Sequence, residues 1–131
     1  MKTLTTIARI LLGLVFLVFG LNGFLNFIPP PKSGMSEGAM AFGMAMMKTG
    51  YLIQLVSGTE VVTGALLLLN RLVPLVLVVL APVIVNIIAF HLFLDRSGLV
   101  IAGGVLLLEL YLAWVYRRSF VPLLTARVTP A

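Results

Sequence analysis

Long apolar runs, separated by short clusters of polar residues, proline and glycine, set the pattern of this chain. Residues 4–28, 50–69, 72–94 and 98–116 are almost unbroken Leu, Val, Ile, Phe, Ala and Gly. Each run is close to the ~20 residues that a helix needs to cross a ~30 Å hydrocarbon core. The runs are continuous rather than alternating, which argues against barrel strands. The pattern predicts an all-α membrane protein, a bundle of four transmembrane helices forming a single domain over residues 1–131. Lys2 followed by an apolar stretch resembles a signal peptide. That stretch is too long, however, and "GLNGFLNFIPPPK" lacks a small-x-small cleavage pattern, so it reads as a retained span.

The breaks between runs carry their own signals. Pro29, Pro30 and Pro31 close the first span, because proline lacks the donor a helix needs and restrains the residue before it. The connection over residues 29–48 places Met40, Met44 and Met47 at i, i+4 and i+7, one face of a helix. Two readings stay open there: an amphipathic interfacial helix or lid, and a Met/Ala/Gly-rich loop. "NRLVP" and "DRSG" are short enough to make antiparallel hairpins of spans two and three and of spans three and four. The N-terminus, the Arg71 turn and the tail over residues 117–131 carry Lys2, Arg9, Arg71, Arg117, Arg118 and Arg127. The other side carries only Lys32, Lys48 and Arg96, so both termini are expected in the cytoplasm.

Composition removes other classes. Of 131 residues 61% are hydrophobic and 10% charged, more apolar surface than a small soluble fold can hide. The net charge of +5 does not signal nucleic acid, because the basic residues cap apolar segments and form no face. There is no cysteine and a single histidine, His91, which excludes CxxC redox chemistry, Fe–S clusters and multi-His or thiolate metal sites. Redox chemistry would need an organic cofactor or a partner subunit, and no catalytic residue set stands out.

The polar residues within the spans are then the candidate chemistry, since an ionised group at mid-membrane costs several kcal/mol. Glu60 and Glu109 fall near the middle of the second and fourth spans, and Arg9 lies about five residues inside the first. Arg9, Gly13, Phe16, Gly20 and Gly23 share a stripe, as do Ser57, Glu60 and Gly64, and Ala102, Val105, Glu109, Ala113 and Tyr116. Each charge thus sits on the small-residue side that admits a neighbouring helix. Arg9 and Glu109 are expected to form a structural ion pair. Glu60 has no cation at its depth, and its expected neighbours are amides, Asn22, Asn86 and Gln54, with Arg9 the more distant alternative. With Asn26 and His91, Glu60 and these amides make up the candidate ligand site. Asn86 and His91 are five residues apart and should not share a face. Pro82 is expected to kink the third span and open space beside it.

With these residues in view, the chain resembles the DoxX family of membrane proteins. The likeness rests on "ARILLGLVFLVFGLNGFLNFIP", on "GYLIQLVSGTEVVTGALLLLNRLVPLVLVVLAPVIVNIIAFHLF" and on the Glu109-bearing last span. The resemblance implies a four-helix protein of the bacterial inner membrane. It also implies a link to thiosulfate:quinone oxidoreductase or to oxidative-stress complexes, and one distant animal relative is a receptor-assembly chaperone. Arg9, Asn22 and Glu60 match the family's recurrent polar positions. The lack of cysteine weakens a direct sulfur-redox role.

Three functions remain in order. The first is a redox-associated membrane subunit that binds a quinone or lipid-like ligand between its helices. The second is an assembly or interaction protein for another membrane complex, or for a homo-oligomer, using its adaptable methionines. The third is a small transporter or proton-coupled carrier, disfavoured because no paired broken helices appear. On none of these readings is the chain expected to be an enzyme on its own.

Overall fold

A computed structural model describes residues 1–30, 32 and 34–131. Among them every regular element is helical. The long helices are α1 (Lys2–Leu25), α2 (Glu37–Lys48), α3 (Leu52–Leu68), α4 (Val73–Phe93) and α5 (Leu99–Val115), followed by the single turn α6 (Arg117–Phe120). By length and composition three helical segments can cross a membrane: α1, α4, and α5 together with the 3-10 turn that precedes it. A fourth crossing arises if α2 and α3 count as one span, broken by a bend of 94°.

Each boundary has a local cause. α1 ends three residues before the position expected, and Asn26 rather than the prolines ends it. Asn26 adopts the left-handed conformation (φ 50°), and its N–H donates to the Asn22 carbonyl at 2.8 Å. Ile28 N–H then donates to Asn22 Oδ1 at 2.7 Å. Pro31, one of the three prolines read as the stop, lies outside the described residues. Residues 37–48 form a helix and not a loop. Ser36 caps it by accepting from Ala39 N–H, and Glu37 and Lys48 complement the dipole at its two ends. Between α3 and α4 the chain reverses over four residues. Asn70 at φ 55° directs its N–H to Leu67 O while Arg71 N–H reaches Leu66 O, a Schellman closure.

Neighbour contacts run from α1 to α3, α3 to α4, α4 to α5 and α5 back to α1. Ala8, Leu12, Phe16, Leu67, Val76, Leu77, Leu80, Ile84, Val105 and Leu112 fill the space enclosed. The α1–α3 contact is the most extensive, and glycine makes it so. A Cβ on Gly64 would meet the backbone of Leu17 and Gly13, and one on Gly20 would lie 2.8 Å from Val61 N. The two backbones touch directly, as small-residue stripes permit. Outward positions are large and apolar: Leu107, Val85, Leu55 and Ile101, among many, are exposed. Such a surface requires lipid rather than water around it.

Candidate functional site

The expected cluster of amides around Glu60 does not form. Glu60 instead lines a cavity of about 280 Å³ with His91 and an otherwise apolar wall: Val15, Phe16 and Phe19 from α1, Ile87 from α4, and Ile101, Ala102 and Val105 from α5. Among the described residues no hydrogen bond or ion pair engages the Glu60 carboxyl. Four helices therefore contribute to one chamber in which, among the described residues, the only ionisable groups are one carboxyl and one imidazole. Phe19 and Ile101 are exposed, so the chamber borders the outer surface along the α1–α5 seam.

Helix geometry explains where the amides went. Gln54 precedes Glu60 by six residues, about 120° round α3, and it does not line the chamber. Gln54 meets Asn22 and Asn26 in a separate groove of about 480 Å³ beside Phe24, Met47 and Ile53. Asn86 is exposed and sits one position from Ile87, the residue that shares the His91 face. It lines a third space, of about 290 Å³, between α4 and α2, with Met35, Ala39, Phe42, Gly43, Met46, Ile87, Phe90 and His91. Asn86 and His91 thus border one space although they are five residues apart, because α2 wraps round that side of α4. Ile87 and His91 form the wall common to this space and to the Glu60 chamber.

His91 is held closely. Its Nδ1 lies 2.8 Å from the Asp95 carbonyl, and because a carbonyl only accepts, Nδ1 carries the proton and Nε2 is left free. Phe90 packs edge-on against the ring at 5.1 Å, and Phe90 in turn meets Phe42 of α2 at 5.4 Å. Gly98 completes the seat, since any side chain there would collide with the imidazole. Ser97 donates its backbone N–H at 3.1 Å and its hydroxyl at 2.7 Å to Asp95 Oδ1, which fixes the turn that supplies the carbonyl. The Ser97 hydroxyl, then the Ser97 N–H, hold the Asp95 carboxyl below the usual aspartate range. Residue spacing gave no sign of this support.

The expected Arg9–Glu109 ion pair is also absent. Arg9 Nη1 donates to the Leu67 carbonyl, which also accepts from Asn70 N–H, and, at 3.2 Å, to the Leu68 carbonyl, both at the end of α3. Glu109 is 6% exposed, and its Oε2 has no hydrogen-bond partner among the described residues. α1 and α5 are neighbours at this level, with Thr5 Oγ1 3.1 Å from Tyr111 Oη, but the Arg9 guanidinium is engaged on the α3 side. Arg9 finds carbonyls at the negative end of a helix dipole instead.

Among the described residues no group of three His, Cys, Asp or Glu side chains is placed to hold a metal ion. Compared with known proteins, residues 4–92 match the family model described as DoxX. No curated protein and no solved structure matches the chain.

Proposed function

The chain belongs to the DoxX family and is a membrane protein, and from that premise we propose that it binds a small ligand with a ring head group, of quinone type, in the Glu60 chamber. The observation that carries this reading is the pairing of Glu60 and His91 in one otherwise apolar cavity walled by four helices. Ligand sites combine apolar walls with a few convergent polar groups. At about 280 Å³ the chamber suits one ring and not a whole isoprenoid lipid, whose tail would leave through the α1–α5 seam. Phe16 and Phe19 supply ring faces, Glu60 a carboxyl for one ligand oxygen, and His91 the Nε2 left free by the Asp95 contact. A quinone, when bound, supplies redox capacity that these side chains lack. The protein's share is binding, orientation and exchange of a proton at Glu60 or His91 Nε2. On this reading the chain is a four-span subunit of the bacterial inner membrane with both termini in the cytoplasm, serving an electron-transfer partner.

Lipid extracts of the purified protein test the proposal. A quinone should co-purify near one per chain and a short-chain quinone should bind saturably, both weakened in Glu60→Leu. Gln54→Leu, which faces another groove, should bind as the parent does. Absence of any quinone, together with no saturable binding on titration, sinks the idea.

A further inference from the structure

Five of the six methionines lie between residues 35 and 47, and the sixth is Met1. The four long apolar helices contain none beyond that first residue; they meet lipid with Leu, Val, Ile and Phe. Methionine is therefore not this chain's ordinary apolar filler, and its concentration on α2 needs a reason specific to sulfur.

The structure divides these methionines by face. Ala39, Phe42, Gly43 and Met46 turn toward α4, and Met35 borders the same space just ahead of the helix. Met40, Met44 and Met47 turn away, at 51%, 53% and 68% exposure. The Met face identified in the sequence is thus not the packing face. It is a free row of three thioethers at i, i+4 and i+7, with neighbouring Cβ atoms about 5–6 Å apart on a helix surface. Met44 can bring its sulfur together with that of Met40 or of Met47 on one ion, whereas Met40 and Met47, about 10 Å apart along the axis, cannot meet directly. The helix that carries them is fixed beforehand: Ser36 caps it and also donates its hydroxyl to the Leu94 carbonyl, and Phe42 packs on Phe90. Thioethers are soft, neutral ligands that select monovalent copper over hard or borderline cations.

We propose that Met44, with Met40 on one side or Met47 on the other, forms a two-sulfur binding site for a soft monovalent cation, Cu(I) or its analogue Ag(I), on the outward side of α2. Met44 is the central ligand, one turn from each of the others. The site is separate from the Glu60 chamber, so it stands or falls independently of the function proposed above. No bond is made or broken beyond metal–sulfur coordination, and no change of oxidation state is needed.

Titration of the full chain in detergent tests this, with Ag(I) followed by calorimetry and Cu(I) by anaerobic competition against bicinchoninate. One ion per chain is expected. Met44→Leu, which keeps apolar volume, should bind at least about tenfold more weakly, a loss of 1.4 kcal/mol or more. The triple Met40→Leu/Met44→Leu/Met47→Leu variant should not bind, and Met46→Leu, on the packing face, should bind as the parent does. Zn(II) should not compete. The proposal is overturned if the parent takes up no stoichiometric ion, or if the triple variant binds equally well, which would leave the methionines as lipid contacts only. Should the triple variant fail to fold, Met44→Leu against Met46→Leu decides the question.

Discussion

At the scale of the residue, Glu109 and Arg9 show how position and partnership separate. Glu109 lies in the core with an oxygen that nothing satisfies among the described residues, and a buried polar group left unmade costs about 1–3 kcal/mol. Glu109→Met is therefore expected to raise stability by about 1 kcal/mol or more, measured as resistance to denaturation in mixed micelles. Arg9→Met should lower it by about 1–3 kcal/mol, because the Leu68 carbonyl loses the Arg9 donor and Leu67 keeps only the Asn70 N–H. With no ion pair between them, the double variant should be additive to within about 0.5 kcal/mol, and a coupling well above that would restore the bridge. The sequence stripes place both residues on the helix faces that turn inward. What they leave out is the competing acceptor, since the carbonyls at the end of α3 take the Arg9 guanidinium. The same omission hid His91, whose seat depends on a carbonyl and a glycine in the next turn.

At the scale of the element, glycines that look alike do different work. Gly64 is pressed against the α1 backbone, whereas a Cβ on Gly103 or Gly104 of α5 would meet nothing within 4 Å. Gly64→Ala should cost about 1–3 kcal/mol through overpacking, while Gly104→Ala should be neutral or add up to about 1 kcal/mol from helix propensity. Thermal unfolding of the two variants side by side checks the contrast. The turn before α5 adds a pH dependence. Asp95 is held below the ordinary aspartate range by Ser97, so its contribution is complete above that range and fades as pH falls through the lowered value. Hydrogen exchange at Ser97 N–H should accelerate there, and Asp95→Asn should remove the dependence. Apolar spacing was enough to find the long helices, because lipid-length runs admit little else. The methionine spacing of α2 pointed to one helical face without telling which face packs. Ala39, Phe42 and Met46 make the contact through shape, which hydrophobicity alone does not rank.

At the scale of the whole molecule, extensive contacts join α1 to α3 and lighter ones close the ring at α1–α5 and α3–α4. The Glu60 chamber lies along the α1–α5 seam, and no sequence pattern marks it, since its wall is ordinary Phe, Ile, Val and Ala gathered from three of the four helices. The orientation expected from charge can be tested directly, because the chain has no cysteine of its own. Ser97→Cys should react with an impermeant thiol reagent added outside intact cells, and Ser119→Cys should not; the reverse result inverts the topology. The shortness of α3 reaches beyond the protein. Its 17 residues rise about 26 Å, against about 36 Å for the 24 residues of α1 beside it. Where α3 crosses as a span of its own, lipid on its side is expected to thin or to draw its head groups inward, while lipid on the α1 side is not. Such a crossing would set a lopsided dent in the bilayer, and thicker membranes should press on that side first.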